Sequence, residues 1–295
     1  MIVRPHQHWF LRLFDWHGSV LSRIAFRLSL NLLMSVIAIL GYPWYSTLGI
    51  HLTTAPFSLI GVSIAIFLGF RNNASYARFI EARTLWGNMH ITQRSLLRQV
   101  KTLRGLRAEQ VQEFIGLQLA FSWSLKHRLR KTDAQPDLQR LLPPAWHAAV
   151  LGHPMPTSQI MLCMGEWLAQ RRDEGLVTDI VWQSIDDNLN HLSAYLGGCD
   201  RLASTPIPFA YSLILHRTVY LFCTLLPFAL VSVFISYTFL SLESLAEELE
   251  DPFGTAPNHL PLDALCVNIE RNLKAMNNDF PLPAASQPDR YFNLT

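Results

Sequence analysis

The stretch that decides the fold begins as TAPFSLIGVSIAIFLGF, Thr54 to Phe70, and continues without a break as RNNASYARFIEARTLWG, Arg71 to Gly87. Its first half carries no charge and approaches the ~20 apolar residues that a membrane-spanning helix needs. Its second half is dense in Arg, Asn, Tyr and Glu at helical spacing. We therefore expect a helix that crosses a membrane and continues into the cytosol.

A second uncharged run lies just upstream, from Leu28 to Tyr45, with Trp44 and Tyr45 placed as interface anchors. The connector between the runs is short, and its only titratable residue is His51, so the two runs form a helical hairpin. Arginines flank the hairpin: Arg12, Arg23 and Arg27 precede it, and Arg71, Arg78 and Arg83 follow it. Because positively charged residues favour the cytoplasmic side, both ends of the hairpin are predicted to be cytoplasmic.

The polar middle of the chain has apolar residues at helical spacing, such as Phe114, Leu117, Phe121 and Leu125, and no alternating strand pattern of useful length. The fold class is therefore all-α, with about four transmembrane helices and a cytoplasmic helical layer. The predicted parts are a cytoplasmic N-terminal segment (1–27), a transmembrane hairpin with a pore-lining second helix (28–70), a cytoplasmic helical domain (71–205), a second transmembrane hairpin (206–250) and a cytoplasmic tail (251–295).

The third apolar region, Pro208 to Leu249, contains an uncharged stretch that is too long for one span and too short for two. If the chain reverses near Val231, the whole region is long enough for two helical spans. That reversal would bring Arg217 and Glu243 to a similar depth, where each could neutralise the other. We predict an intramembrane charge pair between them.

Composition excludes several classes of function. Half of the 295 residues are hydrophobic and 16% are charged, which fits partial burial in lipid, and the net charge of +2 gives no footprint for nucleic acid. The four cysteines are far apart and are expected to be free, buried thiols. No metal-binding histidine spacing, phosphate-binding loop or catalytic constellation is present. We expect no metal, no cofactor and no enzyme activity.

The second helix offers a candidate pore lining. Val62, Ile66 and Phe70 are four residues apart and form one apolar stripe, beside a stripe of small residues at Gly61, Ala65 and Gly69. In a symmetric oligomer the large stripe could face the axis as hydrophobic rings that gate ions by dewetting. The alternative is that these three side chains face lipid or a neighbouring helix.

Four segments together resemble bacterial members of the bestrophin family: FLGFRNNASYARFIEARTLWG (67–87), GGCDRLASTPIPFAY (197–211), EELEDPFG (247–254) and the opening HWFLRLFDWHGSVLSRIAFR (8–27), which is similar to the enterobacterial branch. The resemblance implies a homopentamer with one axial pore, a hydrophobic neck in the membrane and a second constriction at the cytoplasmic exit. Matched to this sequence, the neck falls on Val62, Ile66 and Phe70, and the exit constriction falls on Ile180. A buried core position is the alternative for Ile180.

The sequence departs from family patterns at two places. Eukaryotic members continue after the Pro252–Gly254 match into carboxylates that hold calcium, whereas Thr255, Ala256, Pro257 and Asn258 follow here. We therefore expect calcium-independent gating, and we interpret the acidic residues before Pro252 as a solvated or arginine-paired helix end. Relatives of this branch also carry several more residues near Val231, so either a loop is short there or part of it is absent.

The permeant ion is a separate question, because hydrophobic rings do not select a sign of charge. Bacterial members are associated with sodium and eukaryotic members with chloride, and the missing calcium run groups this chain with the bacterial branch. We therefore expect monovalent cations, with Asp179 as a possible selectivity charge and Asp186 and Asp187 as further acidic residues. An anion channel of the same architecture and a non-conducting helical membrane scaffold or sensor are the alternatives. The expected partners are four further copies and lipid of the inner membrane, but no nucleic acid.

Overall fold

The long helix predicted from the sequence is present in the computed structural model, which describes residues 1–3, 20–47, 55–228 and 233–295. Helix α2 runs unbroken over Ala55–Lys101, 47 residues. At 1.5 Å per residue it is roughly 70 Å long, more than twice the ~30 Å hydrocarbon thickness of a bilayer. One element therefore connects the apolar end of the molecule with its polar end.

The other described helices lie on both sides of α2 along the chain, and the described residues form no strand beyond an isolated bridge between Ile2 and Asn293. The helices are α1 (Leu21–Thr47), α3 (Ala108–Arg130), α4 (Gln135–Leu141), α5 (His147–Val150), α6 (Pro156–Asp173), α7 (Asp179–Ser204), α8 (Phe209–Leu225), α9 (Val233–Glu250) and α10 (Leu262–Asn277), with short 3-10 turns at Pro144–Trp146 and Leu226–Phe228.

The polar part of the chain folds as a helical layer around α3. Phe114, Leu117, Phe121 and Leu125, the residues whose spacing predicted a helix, are all fully buried. Trp167 of α6 packs on Phe114, with ring centroids 4.7 Å apart. At Gly116 a Cβ atom would lie 2.9 Å from the carbonyl oxygen of Leu141, so the close approach of α4 requires glycine.

A second core lies at the apolar end, where α1, α2, α8 and α9 pack together. It contains Ile24, Ile64, Leu68, Val219 and Leu240, which are all nearly inaccessible to solvent. The third apolar region therefore forms two helices, α8 and α9. The predicted reversal near Val231, the first connector with His51, and residues 4–19 of the N-terminal segment lie outside the described residues.

Two described stretches, Leu21–Trp44 and Phe57–Lys101, are long and apolar enough to cross a membrane, while the apolar helix Phe209–Leu225 is shorter.

Outside the apolar core, burial raises the pKa of the Cys163 thiol to about 11 and that of Cys199 to about 12. All four cysteines are free and buried, as the sequence predicts. The thiols of Cys163 and Cys199 are therefore protonated and unreactive at neutral pH.

From the buried carboxylate Glu270 we predict that the stability of the polar helical layer depends on pH. Burial alone would raise its pKa, but hydrogen bonds from Arg140, at 3.0 Å, and Lys274, at 2.8 Å, outweigh burial and lower the pKa below 4.5. As the pH falls, Glu270 is therefore protonated in the unfolded chain before it is protonated in the folded chain. The stability that the Glu270 carboxylate contributes is present above pH 4.5 and is lost as the pH falls below it. We expect Glu270→Gln to flatten this slope and to cost about 1–3 kcal/mol at neutral pH.

Thermal unfolding of the detergent-solubilised protein between neutral and acidic pH measures this effect, with the exposed Glu109→Gln as the matched control. A wild-type melting temperature that depends on acid no more than that of Glu270→Gln would contradict the prediction.

Candidate functional site: the pore-lining helix and its anchors

The predicted neck residues are exposed on the isolated chain. Val62 is 60% exposed, Ile66 is 52% exposed and Phe70 is 62% exposed, although all three are apolar. They form a continuous row along the membrane half of α2 that no described helix of the same chain covers. A row of this kind can line a hydrophobic constriction in an oligomer or face lipid.

The opposite face of α2 is buried within the subunit. Ile64, Leu68, Arg71 and Ser75 are each at most 4% exposed and follow one another at helical spacing. Because this face packs against α8 and α9, the orientation of α2 in the subunit is fixed, with the neck row turned outward. Of the predicted small stripe, Gly61 approaches Phe222 of α8, where a Cβ would lie 3.3 Å from the ring. At Gly69 no other described helix comes within 4 Å of the Cβ position.

The predicted exit constriction lies at the other end of α2. Ile180 is 82% exposed at the start of α7, which contradicts the alternative of a buried core isoleucine. Gln99 near the end of α2 donates a 3.0 Å hydrogen bond to Ser184 Oγ, one turn after Ile180. Phe70 and Gln99 are therefore separated by roughly 44 Å of helix, so neck and exit would be distinct constrictions.

Asp179 is exposed, as a selectivity charge requires, but it is not a lone carboxylate. Arg172 at the end of α6 places its guanidinium NH2 2.8 Å from Asp179 Oδ1. The sequence carries no local signal for this contact, because six residues including a turn separate Arg172 from Asp179. The surface at the start of α7 thus presents one acidic and one basic side chain beside Ile180, and the net sign of the local charge depends on their balance.

The predicted charge pair between Arg217 and Glu243 is wrong. Glu243 is buried, but His216 Nδ1 lies 2.5 Å from its Oε1, Arg27 lies 3.5 Å from its Oε2 and Arg71 lies 3.9 Å from its Oε1. Successive helical residues differ by about 100° in direction, so when His216 faces α9, Arg217 points away. Arg217 is exposed and forms no ion pair within the described part of the chain.

The acidic end of α9 is largely paired with arginines. Glu248 lies 3.4 Å from Arg23, and Glu250 lies 3.5 Å from Arg71. Asn258 also donates a 3.1 Å hydrogen bond to Glu248, from the loop where a calcium-binding run would stand. Arginine pairing therefore describes these two carboxylates, whereas Glu247 is exposed.

The basic run at 126–131 is also neutralised within the subunit. Lys126 lies 2.9 Å from Asp263, and Arg130 lies 2.5 Å from the same carboxylate. Arg128 binds both oxygens of Asp200, at 2.7 and 2.9 Å. These pairs leave the run little free charge with which to attract an anionic surface.

Comparison with known proteins decides the family. The family model described as "Bacterial/Fungal Bestrophin protein" matches residues 1–275. The chain belongs to the bestrophin family. A bestrophin homologue from Klebsiella pneumoniae, known from a crystal structure, is 57% identical and has a TM-score of 0.85 over 88% of this chain and 100% of that chain.

Curated bestrophin relatives are named for channel formation. The Escherichia coli K12 "Voltage-dependent anion channel-forming protein YneE" is 56% identical over the full length of both chains, and the Ralstonia nicotianae protein RSc3414, named in the same way, is 44% identical over 92% of both. These names agree with the expectation that the chain is not an enzyme. They support the anion alternative better than the sodium channel expected from the sequence.

The alignment with the Escherichia coli bestrophin relative spans 305 positions, whereas the chain has 295 residues. The relative therefore contains residues that this chain lacks; the short loop expected near Val231 stays a prediction. Among the described residues, no group of three or more His, Cys, Asp or Glu side chains is arranged to hold a metal ion.

The Glu243 cluster predicts a large cost of removing its carboxylate. Glu243→Ala would leave the half-buried Arg27 and the buried Arg71 without this acceptor, and breaking a buried ion pair from one side costs about 3–5 kcal/mol. We expect a clearly lower melting temperature in detergent, measured by intrinsic fluorescence. Glu247→Ala, which removes an exposed carboxylate one turn away, should leave the melting temperature unchanged. Equal melting temperatures for the two variants would contradict the assigned role of Glu243.

Proposed function

We propose that this bestrophin forms a channel for monovalent anions, chloride among them, through a pore on the axis of a homopentamer. The observation that carries the proposal is its 56% identity, over the full length, to a protein named as forming a voltage-dependent anion channel. The exposed apolar row on α2 is consistent with it, because in a symmetric oligomer such a row can line an axial constriction. Voltage is accordingly the first trigger to test.

In this proposal Val62, Ile66 and Phe70 form three stacked hydrophobic rings, one side chain per subunit in each. A narrow apolar constriction resists filling by water. An ion must keep part of its hydration shell, so it cannot pass a constriction that is dry. Small changes in the radius of the neck would therefore switch conduction on and off. The neck acts as the gate and leaves the choice of ion to charged groups elsewhere.

Ile180 forms the second constriction, at the cytoplasmic exit, in the same proposal. Five copies of the Arg172–Asp179 pair would surround it. Because the two charges are only 2.8 Å apart, each weakens the field of the other, and the ring discriminates between ions less than five bare carboxylates would.

We further propose that the protein lies in the inner membrane with both termini in the cytoplasm, as the arginines flanking the first hairpin indicate.

Sodium conduction is the second candidate function, because a specific residue favours it. The Asp179 side chain is 81% exposed, while that of Arg172 is 48% exposed, so the acid is the more accessible of the two charges. An accessible acidic ring would attract cations to the exit. The sign of selectivity therefore tests this ring directly.

Reversal potentials across planar bilayers containing the purified oligomer test the choice of ion. In a tenfold sodium chloride gradient an ideally anion-selective pore and an ideally cation-selective pore reverse near opposite limits, about 59 mV from zero for a monovalent ion. We expect the anion limit to be approached. Reversal on the cation side would overturn anion selectivity and keep the channel.

Single substitutions at the exit supply a matched pair for this measurement. Asp179→Asn removes the acid and should move the reversal potential toward the anion limit, whereas Arg172→Gln removes the base and should move it toward the cation limit. Shifts of the same sign in both variants, or no shift in either, would exclude this ring as a determinant of selectivity.

Truncation of the neck tests the gate. Phe70→Ala and Ile66→Ala widen and wet the proposed constriction, so we expect each to raise anion flux into proteoliposomes several-fold. Leu40→Ala, which shortens a residue on α1 that is 75% exposed, is the control and should leave the flux unchanged. Unchanged flux in both neck variants, with the oligomer intact by light scattering, would remove this row from the gate.

The same preparations test the oligomer and the competing scaffold function. Light scattering that corrects for bound detergent gives the number of copies, and five are expected. A verified, reconstituted oligomer that passes neither chloride nor sodium at any voltage would favour a non-conducting scaffold or sensor.

A further inference from the structure

The pore row of α2 ends next to the most deeply buried arginine of that helix. Phe70 is 62% exposed and Arg71, the next residue, is 4% exposed. The two side chains point to different sides of α2, one outward and one into the subunit. Any rotation or sliding of α2 that moved Phe70 would therefore also move Arg71 against its partners.

Arg71 is held by two carboxylates on one helix. Its NH2 lies 3.5 Å from Glu250 Oε2, and its NH1 lies 3.9 Å from Glu243 Oε1. Glu243 and Glu250 are seven residues apart, so they stand on the same side of α9, two turns from each other. The guanidinium bridges those two turns, which opposes sliding of α2 along α9 in either direction.

Further contacts extend this attachment to the rest of the membrane part. Glu243 also meets Arg27 of α1 and His216 of α8, so four helices converge on one carboxylate. The surroundings make Arg71 an unusual residue to bury: its Nε and NH1 atoms have no hydrogen-bond partner among the described residues. Ser75, which is fully buried on the same face of α2, also has no hydrogen-bond partner for its Oγ among those residues.

Arg78 attaches the same face of α2 two turns further on. It donates hydrogen bonds to the carbonyl oxygens of Leu202 and Thr205 at the end of α7, both at 2.6 Å, and to that of Glu250 at the end of α9, at 3.2 Å. Helix α7 begins at the proposed exit, beside Ile180. Arg71 and Arg78 thus join the neck helix to α9 and to the helix that carries the exit constriction.

We propose that Arg71 is a positioning residue for the neck: by bridging Glu243 and Glu250 it sets the rotation and height of α2, and with them the direction in which Ile66 and Phe70 face. This inference rests on the proposed channel function. A buried ion pair is often no more stabilising than well-packed apolar side chains, so stability alone gives little reason to retain an arginine here. The bridge from Arg71 to Glu243 and Glu250 does give a reason to retain the arginine, because it specifies one register between α2 and α9.

The test has two readouts: the accessibility of a cysteine placed in the neck, which reports the direction of that side chain, and the current through the channel. Ile66→Cys is introduced into the full-length oligomer, and the rate at which a negatively charged methanethiosulfonate reagent modifies it is measured by mass spectrometry and by the change in current. The four native cysteines are buried, so the parent protein supplies the background rate. The rate is then compared in Arg71→Gln, Arg71→Lys and Glu250→Gln backgrounds, with the exposed Arg83→Gln as control.

We expect Arg71→Gln and Glu250→Gln each to change the modification rate and the open probability by about fivefold or more, the low end of measured coupling between sites. Arg71→Lys should restore most of the parent behaviour because it keeps the charge, and Arg83→Gln should match the parent. Combining Arg71→Gln with Glu250→Gln should add little to either change, because both substitutions break the same bridge.

Each outcome decides between the proposals. Parent-like rates and open probability in an intact Arg71→Gln oligomer overturn the positioning role, and so does a Lys variant no better than Gln. If Arg71→Gln does not assemble, Glu250→Gln, which keeps the contact to Glu243, decides on the same two readouts. Absence of current in the unsubstituted oligomer overturns the channel function instead, whereas the modification rates still report whether Arg71 directs position 66.

Discussion

The structure of the membrane part depends on one buried carboxylate. Glu243 is 1% exposed and lies within 4 Å of charged or titratable groups on three other helices, namely Arg27, Arg71 and His216. A carboxylate at this depth is costly unless it is paired, so the helices that supply its partners must meet at its level. Apolar packing holds α1, α2, α8 and α9 together but does little to fix how far each helix is shifted along its neighbours. The charge cluster around Glu243 fixes that register.

The unbroken helix α2 follows from the same constraint. One side of it is fastened to α8 and α9 near Arg71 and to the end of α7 near Arg78, so its other side remains free and apolar along the membrane half. A helix of 47 residues also transmits displacement over its whole length, because its backbone hydrogen bonds leave no hinge. In the proposed channel, α2 therefore carries the neck residues and contacts α7, the helix of the proposed exit, through Gln99 and Ser184.

Helical periodicity predicted much of this arrangement from the sequence. It identified the buried row of α3 at Phe114 and Phe121 and the outward row at Val62 and Ile66, because both patterns repeat every three to four residues along one element. It failed for the partner of Glu243, where depth alone suggested Arg217 and neglected the direction of each side chain around α8. Arg27 and Arg71 are more than 170 residues from Glu243, and Arg172 meets Asp179 across a turn. No local pattern encodes such contacts.

The sign of the permeant ion was the least predictable property, for a physical reason. In the proposed pore, apolar rings at the neck interact with the hydration of an ion and not with its sign, so charged groups at the proposed exit would select the ion. There Asp179 lies 2.8 Å from Arg172, so each charge weakens the field of the other, and the sign of the local field depends on how exposed each side chain is. Proteins with this architecture can therefore share the neck and still differ in selectivity. The proposed channel thus separates the two tasks: a few residues beside Ile180 would choose the ion, and α2 with the buried charges that hold it would form the gate.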